Sequence, residues 1–255
     1  MALSASWFED RTREIGASLA FCTRFPLLND TPTGSTDIGR AAWAFPIAGI
    51  AVGLIGASVY AIAHWLGLPA LPAAALSVVA TLLATGCLHE DGLADTADGF
   101  GGGKTRERKL EIMRDSRIGT YGVCALVLSL LLRVGALVSF PNAHLAVWAL
   151  IAAHGAARAT MPALMFLLPP ARSDGLSFSA GAPSGQSVGA AALIGFVILA
   201  ICLHPVRGAV TIVYLAIVIA LIAWLSSRQI GGQTGDVCGA LEQVSEIAIL
   251  LVALG

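Results

Sequence analysis

The chain has 255 residues, 56% of them hydrophobic and only 12% charged, with a net charge of −1 and a mean hydropathy of +0.80. An ordinary soluble domain is about 25% charged, so the composition excludes a disordered chain, a disulfide scaffold and a conventional soluble α/β enzyme. It points to lipid as the main solvent, and the near-neutral balance gives no reason to expect a nucleic-acid partner.

No basic segment runs directly into an apolar one at the amino terminus, so no cleavable signal peptide is expected. Residues 15–28 are apolar but short, interrupted by Arg24 and Pro26, and predict an interfacial or half-inserted helix. Longer apolar runs follow at 41–63, 70–88, 122–140, 145–168, 188–203, 208–226 and 237–254. A spanning helix needs about 20 apolar residues. The sequence therefore predicts an all-α polytopic membrane bundle of about seven helices, forming one domain over residues 1–255. The fifth run is short and the last is interrupted by Glu242 and Glu246, which leaves six as the alternative count.

Lys and Arg orient these spans. Segments 1–40, 89–121, 169–187 and 227–236 carry 12 basic residues; the opposite side carries Arg207 alone, and Arg133 and Arg158 lie inside spans. The richer side is expected in the cytoplasm, and it holds the polar loops 89–121 and 231–236 together. Five single cysteines (Cys22, Cys87, Cys124, Cys202 and Cys238) include no CxxC pair, so buried reduced thiols are expected. Of the histidines, His64, His144, His154 and His204 read as interfacial or packed residues.

Three constellations carry chemistry. In His89 to Gly99, a helix would place Asp91, Asp95 and Asp98 at i, i+4 and i+7, on one face. Three carboxylates on one stripe repel each other unless a cation sits among them, and oxygen-only ligation suits Mg²⁺ shared with phosphate. The plain alternative is a solvated acidic helix end. Gly99 to Thr105 lacks the first glycine and the preceding strand of a P-loop, and reads as a flexible loop. In Leu110 to Gly122, Arg114 and Arg117 share a helical face suited to phosphate oxygens, or to lipid head groups. Asp115 either completes a metal shell or pairs with an arginine. In Gly231 to Asp236 the glycines permit close backbone approach to a ligand. Glu242 and Glu246 follow at i and i+4 inside a span, with Arg158 as their partner in an intramembrane pair.

Together these residues resemble the cobalamin synthase (adenosylcobinamide-GDP ribazoletransferase) family. His89–Gly99 is similar to its HxDGLADTxDG, Leu110–Gly122 to its LEIMxDSRxGTxG, and Gly231–Asp236 with Gly239, Ala240 and Glu246 to its GGxTGDxxGA…E. Thr23–Pro26 resembles an early TRxP, and Phe45, Pro46 and Gly49 the motif after it. Glu90 departs, standing where an apolar residue is usual, and Gln243 stands where many members carry Glu. The resemblance implies the last assembly step of adenosylcobalamin: adenosylcobinamide-GDP joined to α-ribazole, or its 5′-phosphate, by attack of the ribazole 5′-hydroxyl, with release of GMP and use of Mg²⁺. It implies metal ligands among Asp91, Asp95, Asp98, Asp115, Asp236 and Glu246. Arg24, Arg114, Arg117, Arg158, Gly232 and Thr234 would bind substrate, and His89 or a metal-adjacent Asp would take the proton. A multi-pass protein of a bacterial inner membrane with its site facing the cytoplasm follows, and a homo-oligomer is compatible with it.

Two other classes compete. A secondary transporter shares intramembrane acids but places its ligands near the bilayer midplane, whereas these motifs gather at one surface. A CDP-alcohol phosphotransferase shares the metal chemistry, but its DGxxAR is not matched where Ala94 is followed by Asp95.

Overall fold

The computed structural model describes residues 5–25 and 38–255, and all of its regular elements are helices. They are α1 (Ala5–Cys22), α2 (Ile38–Ala41), α3 (Phe45–Trp65), α4 (Ala70–Thr85), α5 (Leu88–Gly102), α6 (Arg106–Ile112) and α7 (Thr120–Ser139). The chain continues as α8 (Ala143–Arg158), α9 (Thr160–Leu167), α10 (Leu176–Ala180), α11 (Gly185–Leu203), α12 (Pro205–Ile230) and α13 (Gly235–Leu254). The predicted all-α membrane bundle is what forms. Six helical stretches are long and apolar enough to cross a bilayer, and a seventh exists if α4 and α5 count as one bent span. The ambiguous span is thus the second, whereas the sequence pointed to the fifth and the last.

Local chemistry sets the boundaries. Asn142, Ser184 and Thr234 cap α8, α11 and α13 by accepting from Leu145, Ser187 and Val237 N–H groups, which satisfies amides that no helix turn can reach. Gly231 at φ 74° ends α12, the left-handed stop that glycine adopts without penalty. The junction of α4 and α5 is less ordinary. Gly86 and Cys87 are both left-handed, at φ 64° and 60°, and α5 leaves α4 at 89°. A left-handed residue with a side chain costs energy and persists only where the surroundings hold it.

Packing follows the membrane rule of small residues between helices. A methyl at Gly53 on α3 would lie 2.9 Å from Ile151 Cα on α8. Outward faces are apolar instead: Leu131, Leu193, Ile201 and Val213 are all more than half exposed, which suits contact with lipid. Helix α1 begins ten residues before the predicted start at 15 and ends at Cys22; residues 26–28 of that prediction lie outside the described residues. Cys22 and Cys238 are buried reduced thiols as expected, but Cys87 and Cys124 are exposed.

The polar segments meet at one end of the bundle. Arg106 donates from Nε to Ile230 O at 2.7 Å and from Nη2 to Ala171 O at 2.6 Å, tying α6 to the end of α12 and to the chain before α10. Segment 169–171 pairs with 232–233 through Ala171 N–H to Gln233 O and Gln233 N–H to Pro169 O. The stretch 89–121 is no loop. It holds two helices with short non-helical links at 103–105 and 113–119, and α5 runs straight through Gly99–Gly102, because Gly99 and Gly101 let Met113 and Tyr121 press against its backbone.

Candidate active site

Helix α5 crosses the bundle end and packs against α13 where both are thin. A methyl at Gly92 would stand 2.7 Å from Asp236 O, and one at Gly239 3.1 Å from His89 O. That crossing brings the α5 carboxylates beside the α13 amino terminus, so the charges of Asp91, Asp236 and Asp98, and the opposing charge of Arg172, all act on Asp95.

The acids then divide by what already holds them. Asp98 accepts Gly119 N–H at 2.7 Å and Gly122 N–H at 2.9 Å, one on each oxygen. It is a cap for α7, stapling that helix to α5. Asp115 accepts from Arg117 Nε and Nη2 at 3.0 and 2.6 Å, and the guanidinium holds its carboxyl down at about 2. Asp236 meets Arg172 Nη2 at 3.4 Å and Thr234 Oγ1 at 3.2 Å. Of the acids gathered here, only Asp91, exposed, and Asp95, half-buried, have side chains with neither hydrogen bond nor ion pair among the described residues. Both line a cleft of about 330 Å³ together with Arg114 and Asp115. Leu82 of α4 and Leu126 and Leu130 of α7 line it as well.

Asp98 gives a direct test of its cap role. Asn would keep one acceptor but turn an NH₂ onto the other backbone N–H. We expect Asp98→Asn to cost about 1–2 kcal/mol of stability and Asp98→Ala somewhat more, read by thermal melting. Unchanged melting in both variants would mean that Asp98 does not brace α7 against α5.

Beneath the cleft lies a polar network buried among α5, α7, α8 and α13. Arg133 reaches Glu90 Oε1 and Glu246 Oε1, each at 2.8 Å, and Arg158 reaches Glu242 Oε1 at 2.7 Å. Gln243 Nε2 donates to Glu90 and Glu242 at 3.1 and 3.0 Å, while its Oε1 accepts from Arg133 and Ser129. His154 Nδ1 is 3.2 Å from Glu246. Among the described residues, His154, Glu242 and Glu246 are the group whose ligand atoms come within 4.8 Å of one another. Two arginines already neutralise those carboxylates, so the group reads as an ion-pair core.

Several predicted residues therefore stand away from the cleft. Glu246 and Arg158 belong to the buried network. So does His89, 1% exposed, whose Nδ1 lies 3.4 Å from Arg158 Nη2. Arg114 and Arg117 lie beyond the end of α6 and share no helical face. Arg114 binds both oxygens of Asp174 from the cleft edge, and Arg117 is occupied by Asp115. Gly232 serves backbone contact with Pro169 and Ala171, Thr234 is a buried cap, and Arg24 packs over Gly86. Sequence reasoning missed Arg172 and Asp174, while His154 is packed as expected. It also assigned no role to Glu90, which lines the cleft floor. Two arginines inside spans were the available signal, since buried charges need partners.

The fold and site define a polytopic membrane protein carrying an acidic cleft at one end of its bundle. A family profile described as Cobalamin-5-phosphate synthase matches residues 14–254, and the chain belongs to that family. It is 55% identical to the adenosylcobinamide-GDP ribazoletransferase of Bradyrhizobium diazoefficiens, over 94% of this chain and 92% of the relative. It is 54% identical to that of Mesorhizobium japonicum, over 94% and 92%, and 49% identical to that of Azorhizobium caulinodans, over 94% and 95%. No solved structure matches the chain.

Proposed function

We propose that this chain is an adenosylcobinamide-GDP ribazoletransferase and catalyses the last assembly step of cobalamin. The observation that carries the chemistry is the pair of carboxylates without partners, Asp91 and Asp95, beside further acids in one cleft. Like charges held together need a cation, and an all-oxygen donor set suits Mg²⁺. Asp91 and Asp95 would hold it, with Asp236 nearby; when bound, the ion offsets the negative charge of the donor's diphosphate.

In the reaction, a ribose hydroxyl oxygen bonds to the phosphorus that carries cobinamide, the bond from that phosphorus to GMP breaks, and the hydroxyl proton leaves. The family description names a 5-phosphate product. With the phosphorylated acceptor that position is blocked, so we assign the attack to a secondary ribose hydroxyl. Arg114 meets the phosphate oxygens. Its present pairing with Asp174 is between side chains 50% and 60% exposed, a contact of small net worth that a phosphate can displace. We place this end of the bundle in the cytoplasm of a bacterial inner membrane, on the strength of the 12-to-one basic asymmetry.

The test is GMP release from adenosylcobinamide-GDP by the purified chain in detergent. Release should require both α-ribazole, or its phosphate, and Mg²⁺, with the cobamide product appearing in equal amount. Absence of release under all these conditions would overturn the reading.

A further inference from the structure

The cleft has more apolar wall than phosphate chemistry needs. Asp91, Asp95 and Arg114 supply one polar rim. Three half-buried leucines line the same cleft, Leu82 on α4 and Leu126 and Leu130 one turn apart on α7, with Ser129 between the last two. Leu82 and Leu130 also pack on the bundle core, but neither a metal nor a diphosphate gains from apolar lining, whereas a flat apolar part of a substrate would.

Size decides which substrate. The cleft holds about 330 Å³, at the lower end of the roughly 300–1,000 Å³ of small-molecule sites. A nucleoside of about 20 non-hydrogen atoms fits such a space, whereas a corrinoid conjugate several times larger does not. Polarity agrees with size, because a nucleoside is an aromatic base at one end and a hydroxylated sugar at the other.

We propose that this cleft is the acceptor pocket: the aromatic base of the ribazole packs on Leu82, Leu126 and Leu130, and its ribose points to the acidic rim. The donor then brings only its diphosphate to the rim, and its corrin ring stays outside the cleft. This rests on the transferase reading above. It assigns the leucines, which no motif singles out, as the residues that read the base.

The experiment uses the full-length chain in lipid nanodiscs, with the KM for each substrate measured separately and α-ribazole binding measured without donor. Leu126→Ala and Leu130→Ala remove wall, and Leu130→Phe fills it. Changes of a few carbon atoms in an apolar pocket shift recognition roughly ten-fold or more. We expect the KM for α-ribazole to rise about that much in each variant, the KM for adenosylcobinamide-GDP to stay within about two-fold, and donor-free α-ribazole binding to weaken in parallel. Should the alanine variants melt early, Leu130→Phe carries the test, since it removes no packing. A rise confined to the donor KM would overturn the proposal, as would unchanged constants in all three variants. Failure of the transferase reading itself looks different: the wild-type chain would then release no GMP from the donor, while α-ribazole binding and its loss in Leu130→Phe would still report on the cleft.

Discussion

Asp95→Asn should leave the chain folded, lower GMP release by about 10²–10³-fold, and raise the thermal stability measured in EDTA. The first two effects follow if Asp95 serves a cation that acts on developing charge, where loss of one preorganised electrostatic group has about that cost. The third follows from geometry. Asp95 is half-buried, makes no hydrogen bond or ion pair, and feels three like charges, Asp91, Asp236 and Asp98, against the single opposing charge of Arg172, so in the metal-free chain its charge is on balance repelled. Removing it relieves the apo state and forfeits the function, as happens where a site is kept strained for activity. Wild type should also gain stability from added Mg²⁺, as any ligand of the folded state provides, and Asp95→Asn should gain much less. Melting curves with EDTA and with Mg²⁺, beside GMP release against Mg²⁺ concentration, measure all of this. A variant that melts earlier in EDTA and loses activity only in proportion would mean that Asp95 is a structural acid.

How much of this could be read from the sequence depends on distance along the chain. The spans were legible because hydropathy is local, and the acidic stripe because i, i+4 and i+7 is a property of one helix. The α4–α5 bend was not, since it needs Cys87 in a left-handed conformation that its side chain disfavours. Gly99 to Thr105 reads as a loop, yet α5 extends through Gly102, because tertiary context overrides the weak helix propensity of glycine. Contacts from Tyr121 and Met113 made those same glycines the residues that allow the helix to be covered. The site was half legible for the same reason. Spacing gathers the acids but does not say which are spoken for. Asp98 is bound by amides 21 and 24 residues away, and Glu90 by an amide 153 residues away. Only the fold separates Asp91 and Asp95 from the acids that hold the bundle together.

That separation makes Glu246 and Arg133 a matched test. Arg133→Met should destabilise the chain by about 3–5 kcal/mol, because it leaves Glu90 and Glu246 buried without their counter-charge. Glu246→Gln should also destabilise, since Arg133 and His154 then face an amide, yet any activity that survives should keep the wild-type Mg²⁺ requirement. Combining Arg133→Met with Glu90→Gln and Glu246→Gln removes the buried charges on both sides and should recover much of the loss, as replacement of whole buried ion pairs often does. Thermal melting in detergent reads the stability, and the half-saturating Mg²⁺ concentration for GMP release reads the site. The alternative is that Glu246 is itself a metal ligand, as its place in the last motif implies. In that case Glu246→Gln would shift the Mg²⁺ requirement while melting at the wild-type temperature, and the division between the two carboxylates that serve the cleft and the acids that brace it would have to be redrawn.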